Sequence, residues 1–286
     1  MPWIVPSHQA PVLRLARSRP GWFSGLGLVL GTMAPDLAFI LPLDPTGAPA
    51  SHTLAGQLYI TLPLVLVLHA LLTALVLPWL LPHLPGGSPL HLHELARSRP
   101  ATGLAANARV AASGLVGGLT HILIDGFTHG DQSGWALALL PWLATPVPYP
   151  GSEQAPLYDS LQLWLTIGLG VLAMREWDAL VRRLPPPRAF RAERVRPAPA
   201  AARRTVQLGL LVAALAGAGF GPLLRGALGT PDALKLAAYG SMSACALAAL
   251  VGAFADRARL VLDRVILDVG PGFGLGSEAI RGASWS

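Results

Sequence analysis

The sequence predicts an all-α integral membrane protein, a bundle of about six spanning helices with a short N-terminal helix folded against the first span. Three observations predict it. The chain is 52% hydrophobic and only 13% charged, whereas soluble domains carry about 25% charged residues. Its mean hydropathy is +0.51. Its apolar residues gather into runs of the length a bilayer requires, about 20 residues each.

Those runs occupy residues 22–43, 57–81, 104–127, 157–174, 205–224 and 234–255. Several contain proline, which membrane helices tolerate where neighbours re-satisfy the backbone. No run alternates in the manner of a barrel strand, and no internal repeat stands out. Residues 175–204 read "REWDALVRRLPPPRAFRAERVRPAPAAARR", too basic and proline-rich to bury a core. The chain therefore divides into a membrane domain (1–174), an exposed Arg/Pro-rich linker (175–204), a transmembrane hairpin (205–255) and a tail (256–286).

The isoelectric point near 10.4 comes almost wholly from arginine, Lys235 being the single lysine. The arginines lie between apolar runs, not along a groove interleaved with aromatics, so they report membrane orientation and exclude nucleic-acid binding. The positive-inside rule places the linker in the cytoplasm, together with Arg14, Arg17, Arg19, Arg97, Arg99, Arg257, Arg259 and Arg264. Arg225 and Lys235 fall on the far side. The loops 44–56 and 130–156 then face outward. A lone Cys245 excludes an internal disulfide framework and a cysteine zinc cage. The N-terminal twenty residues lack the basic start and short apolar stretch of a signal peptide. They read as part of the working chain.

Against this apolar background a few ionisable residues stand out. An aspartate at the centre of a membrane helix costs roughly 2.5–3.5 kcal/mol on insertion scales, and such residues are functional candidates by default. Asp36 in "GTMAPD" and Asp125 in "THILIDGFTH" are the clearest cases. His121 and Asp125 stand four residues apart on one helix face, a spacing that can chelate a metal ion. His129 would lie about 12 Å along a continuous helix from His121. Either Asp125 bridges two ions, or the helix ends near Thr128 and Gly130 lets His129 fold back.

His52, in "ASHTLAG", precedes the second span at the same outer boundary. His8 supplies a geometric test. If residues 7–17 form a helix capped by Ser7 and "RSRPGW" turns, His8 and Asp36 reach similar depth on antiparallel helices. If that helix lies flat on the membrane surface, the two residues stay apart. His69 is mid-membrane and suits a hydrogen bond to a neighbouring helix. His83, His91 and His93 share an arginine loop and suit headgroup-facing positions. Asp131, Glu153 and Asp159 read as outer-loop carboxylates, and Trp135, Trp142 and Tyr149 as an interfacial belt.

The ordered set "PSH", "GTMAPD", "SHTLAG" and "THILIDGFTH" resembles domain of unknown function 4184, a bacterial membrane family. More distantly it is similar to membrane-bound metal-dependent hydrolases of the YdjM type and to zinc-dependent phospholipase C. The resemblance covers residues 6–135. It implies metal ligands His8, Asp36, His52, His121, Asp125 and His129, with Asp36, His121 and Asp125 at the catalytic centre. Two features depart from the phospholipase pattern: Trp3 follows Met1 and Pro2, and no HxxxE pair follows His129. One or two ions are expected, zinc by the chemistry of imidazole and carboxylate ligands, with manganese or iron as alternatives.

The resulting expectation is a multi-pass protein of the bacterial inner membrane, a metal-dependent hydrolase whose site opens at the outer leaflet. Membrane lipids are its surroundings and a lipid-linked phosphoester is the substrate class that location suggests. A metal or proton transporter, and a structural protein whose metal staples helices, are the competing classes.

Overall fold

A computed structural model describes residues 4–40, 50–83, 101–130, 134–150, 152–182, 200–228, 245, 248–249 and 251–259. The elements are α1 (Ile4–Ser18), α2 (Gly25–Ile40), α3 (Leu54–Leu80), α4 (Leu104–Thr128), α5 (Trp135–Leu139), β1 (Pro146–Tyr149), β2 (Ser152–Pro156), α6 (Leu157–Arg182) and α7 (Ala200–Leu228).

Three helical stretches are long and apolar enough to cross a membrane: Leu54–Leu80, Leu104–Thr128 and Leu157–Leu180. They match the second, third and fourth expected runs. The first expected run is the shorter apolar helix α2, and the fifth lies within α7. The sixth run lies only partly within the described residues. Exposed Leu58, Tyr59 and Val67 on α3, and Trp164, Ile167, Val171 and Met174 on α6, suit contact with acyl chains. Apolar side chains facing outward are what a bilayer solvent permits.

The N-terminal helix forms a hairpin with α2, as expected, with the turn at residues 19–24. It begins at Ile4, so Ser7 lies buried inside the helix and does not cap it. α1 packs on both α2 and α6. Ala10 and Leu13 meet Ala173 of α6, while Val12 and Ala16 meet Leu28 of α2. At its far end Arg17 Nε donates to Glu176 Oε2 at 2.6 Å, and Nη2 to Oε1 at 3.2 Å. Glu176 belongs to the first residues of the expected linker. The helix continues through them to Arg182, with the Glu176 carboxylate buried against Arg17.

α2 and α4 approach until their backbones touch. A Cβ on Gly31 would run into the backbone of Gly114, and one on Gly117 into the Leu28 carbonyl. Lipid tails are as apolar as leucine, so helices in a membrane associate through such close van der Waals packing of small residues. Leu30, Ala34, Leu64, Val65 and Val110 fill the space where α2, α3 and α4 meet.

α3 contains two widened turns, Gln57–Thr61 and Leu72–Val76, in which Leu62 N bonds Gln57 O and Leu77 N bonds Leu72 O. Each ends two residues before a proline, Pro63 and Pro78. A proline ring crowds the carbonyl four residues back, and a π-type turn relieves that clash.

One departure from an all-helical chain is a small antiparallel hairpin, β1 with β2, pairing Pro146 with Pro156 and Val147 with Ala155. Its sequence, "PVPYPGSEQAP", carries four prolines that conceal a strand pattern, because proline sits only at strand ends and edges.

Candidate metal centre

Asp125 stands at the centre of a cluster gathered from four segments. It lies on the last turn of α4, one turn beyond His121, and both side chains face the bundle interior. Its Oδ2 is 3.0 Å from His121 Nε2 and 3.2 Å from His52 Nε2. From α2, Asp36 Oδ1 comes within 3.5 Å of His121 Nε2 and 3.7 Å of His52 Nε2. One donor atom from each of Asp36, His52, His121 and Asp125 lies within 4.8 Å of the other three. Bonds of 2.0–2.1 Å to a tetrahedral zinc set ligand atoms roughly 3.3 Å apart. The donors already stand near that spacing, so they can hold one metal ion without large rearrangement.

Charge argues the same way. Two carboxylates this close repel each other, and burying them costs several kcal/mol unless opposite charge arrives. A divalent cation supplies that charge. The His121, His52 and Asp125 side chains are almost wholly buried, whereas the Asp36 side chain is 27% exposed. The cluster therefore opens on the Asp36 side.

Local structure explains how His52 arrives. Pro35 removes a backbone donor from α2, and its own carbonyl accepts from Ser51 Oγ at 3.0 Å. Ser51 Oγ is also 3.2 Å from His52 Nδ1. With the hydroxyl proton given to Pro35, the oxygen accepts from Nδ1–H, which leaves the Nε2 lone pair for the cluster. Ligating histidines characteristically donate their other nitrogen in this way. Gln57 Nε2 donates to Ser51 O at 2.6 Å and holds the turn from below. Burial tends to lower the His52 pKa, but hydrogen bonds to Asp125 and Asp36 raise it above the ordinary imidazole value.

His8 arrives on α1, with its Nδ1 2.7 Å from His121 Nδ1 and its Nε2 3.4 Å from Asp125 Oδ1. The hairpin geometry thus brings His8 and Asp36 to one cluster. α4 ends at Thr128, and His129 adopts extended backbone at φ −124°, ψ 143°. Its Nδ1 lies 3.7 Å from Asp125 Oδ1, so the side chain folds back as the second sequence alternative required. All six residues expected as ligands lie together, four in the compact donor set and two beside Asp125 Oδ1.

The remaining polar residues go elsewhere. His69 is buried in α3, and His83 bonds the Trp79 carbonyl at 2.8 Å. His91, His93 and Asp131 lie outside the described residues. Glu153 is exposed and Asp159 half-buried. Trp142 is exposed, and Trp135 anchors to the end of α4 by donating from Nε1 to Ile122 O at 3.0 Å.

Sequence reasoning passed over Ser51 and Gln162. Ser51 orients His52, and Gln162 of α6 meets His129 Nε2 at 3.2 Å. The "SH" adjacency could have flagged the first. Nothing local marks the second.

Fold and site together define a helical membrane protein with a buried two-histidine, two-aspartate centre suited to a metal ion. The family model for a domain of unknown function, DUF4184, matches residues 1–255, and the chain belongs to that family. No curated protein and no solved structure matches it.

Proposed function

We propose that this protein is a membrane-embedded, metal-dependent hydrolase acting on a lipid-borne phosphoester at the outer leaflet of the bacterial inner membrane. The observation that carries the reading is the convergence of Asp36, His52, His121 and Asp125 at coordination spacing, with one side of the set open. A structural staple would use all four side chains as ligands; hydrolysis requires that water reach the ion on the Asp36 side, where the side chain is 27% exposed and its Oδ1 stands farther from the histidine nitrogens than Asp125 Oδ2 does.

A zinc ion, or manganese or iron in its place, supplies there a water of lowered pKa and a Lewis acid for a phosphoryl oxygen. The protein's own groups do the rest. His121 and Asp125 hold one wall of the site, fixed by the rigid end of α4. His52 is oriented by Ser51, and Asp36 sits at the opening, where a substrate oxygen would approach. Its carboxylate is the most accessible of the four, and the oxygen not turned to the donor set would take and return a proton. By helix rise Asp125 lies about 5 Å and His121 about 10 Å in from the end of α4, just inside one boundary of the span. That depth supports a lipid substrate.

The test is metal content and phosphodiesterase activity of detergent-purified protein, compared with His121→Ala and Asp125→Ala. Metal present in wild type and lost in folded variants, with activity lost in parallel, is the expected result. Wild type without metal would sink the reading.

A metal or proton transporter is the second reading. Buried Gln57, Thr61, His69 and Thr73 share one face of α3 and lead from the centre along the span. Intramembrane polar chains of this kind serve as relays. Metal-dependent flux into proteoliposomes, absent in His69→Leu, would favour it over hydrolysis.

A further inference from the structure

We propose that His8 is a positioning residue for His121 and not itself a metal ligand; this rests on the metal-centre reading above. A neutral imidazole has one N–H and one lone pair. His8 and His121 face each other Nδ1 to Nδ1 at 2.7 Å, fully buried, so one nitrogen donates and the other accepts.

The other nitrogen of His121 decides which. Its Nε2 points at Asp125 Oδ2, His52 Nε2 and Asp36 Oδ1, at 3.0, 3.2 and 3.5 Å. To ligate there, Nε2 must carry the lone pair, so the His121 proton sits on Nδ1. His8 Nδ1 is then the acceptor, and the His8 proton sits on Nε2. That N–H stands 3.4 Å from Asp125 Oδ1, a buried oxygen. Nδ1 is taken by His121, and a protonated Nε2 has no lone pair for an ion.

His8 therefore joins the two α4 ligands through one ring. It fixes the tautomer of His121 at one edge, and at the other its Nε2 stands beside Asp125 Oδ1, the carboxylate oxygen that faces away from the donor set. α1 is the element that supplies this brace, tied down at its far end by Arg17 and Glu176.

The experiment is zinc titration and zinc content of the full chain in detergent for wild type, His8→Asn and His8→Leu. It is paired with 15N NMR of the wild-type histidines. Asn places Oδ1 where His8 Nδ1 was and still accepts from His121; Leu cannot. The expected result is an unchanged ion count in both variants, with a 10–100-fold loss of zinc affinity in His8→Leu and most of it retained in His8→Asn. The NMR shifts should show His121 protonated on Nδ1 and His8 on Nε2. One ion fewer in both variants would make His8 a ligand and overturn the proposal. So would equal affinity in Asn and Leu, or the opposite tautomers in wild type, a readout that needs no variant to fold. No zinc in wild type would instead bring down the metal centre, and this proposal with it.

Discussion

Arg17 Nε donates to Glu176 Oε2 at 2.6 Å, pinning α1 to α6 at the end of α1 away from His8. The pair is partly shielded, with side chains 22% and 9% exposed. Removing one partner of a fully buried pair costs about 3–5 kcal/mol, and the solvent reaching Arg17 screens part of that. Glu176→Gln is expected to lower the unfolding temperature. The double variant Arg17→Gln/Glu176→Gln should cost less than the two single changes summed, because no unpaired charge remains. Thermal unfolding in detergent reads both, and strict additivity would show that the pair contributes nothing.

Ser51→Ala removes the acceptor for His52 Nδ1 and the tie to Pro35 while leaving every ligand in place. Outer hydrogen bonds to ligating histidines are typically worth 10–100-fold in metal affinity. Zinc titration should show a loss of that size with unchanged stoichiometry. Affinity equal to wild type would remove Ser51 from the site.

Metal affinity should rise with pH through the imidazole range, because the ligating histidines must be deprotonated. The carboxylates beside His52 raise its pKa above 6.5, so the rise should extend above that value. The same shift has a sign for stability. In metal-free protein the stabilisation from protonated His52 is complete below about pH 6.5 and lost as pH climbs through the raised value. Unfolding temperatures of metal-free protein should therefore fall with rising pH in that window, and added zinc should offset the fall. A pH-independent zinc affinity would contradict this.

Gly31→Ala places a methyl against the Gly114 backbone, which cannot swing aside as a side chain would. Overpacking of this kind costs typically 1–3 kcal/mol. Because α2 carries Asp36, spreading α2 from α4 should also weaken zinc binding, while Gly168→Ala on α6, where nothing lies within 4 Å, should do neither. Melting temperature and zinc affinity measured on both variants decide it.

A reporter fused after Arg196 should read cytoplasmic, because the basic residues around it favour the inner face. A periplasmic signal would invert the bundle and move the Asp36 opening to the inner leaflet.

Much of this protein was legible from local chemistry. Apolar run length predicted α4 to within one residue of its end, since the hydropathy needed to cross a bilayer is written in consecutive positions. The energetic cost of intramembrane charge singled out Asp36 and Asp125, and helical periodicity paired His121 with Asp125. Helix rise left two alternatives for His129, a second ion bridged by Asp125 or a helix end near Thr128, and the structure has the helix end there.

Only the tertiary structure decided which of those residues meet, and through which atoms. Gly31 against Gly114 sets how near Asp36 comes to α4, and Ser51 on Pro35 sets how His52 turns. Glu176 finds Arg17 159 positions away, in a helical stretch of α6 whose composition reads as linker. Local composition reports a segment's solvent, but ring orientation and proton placement depend on neighbours brought in from elsewhere in the chain. That is why the sequence could name His8 as a member of the site, whereas only the 2.7 Å between its Nδ1 and that of His121 assigns it a role.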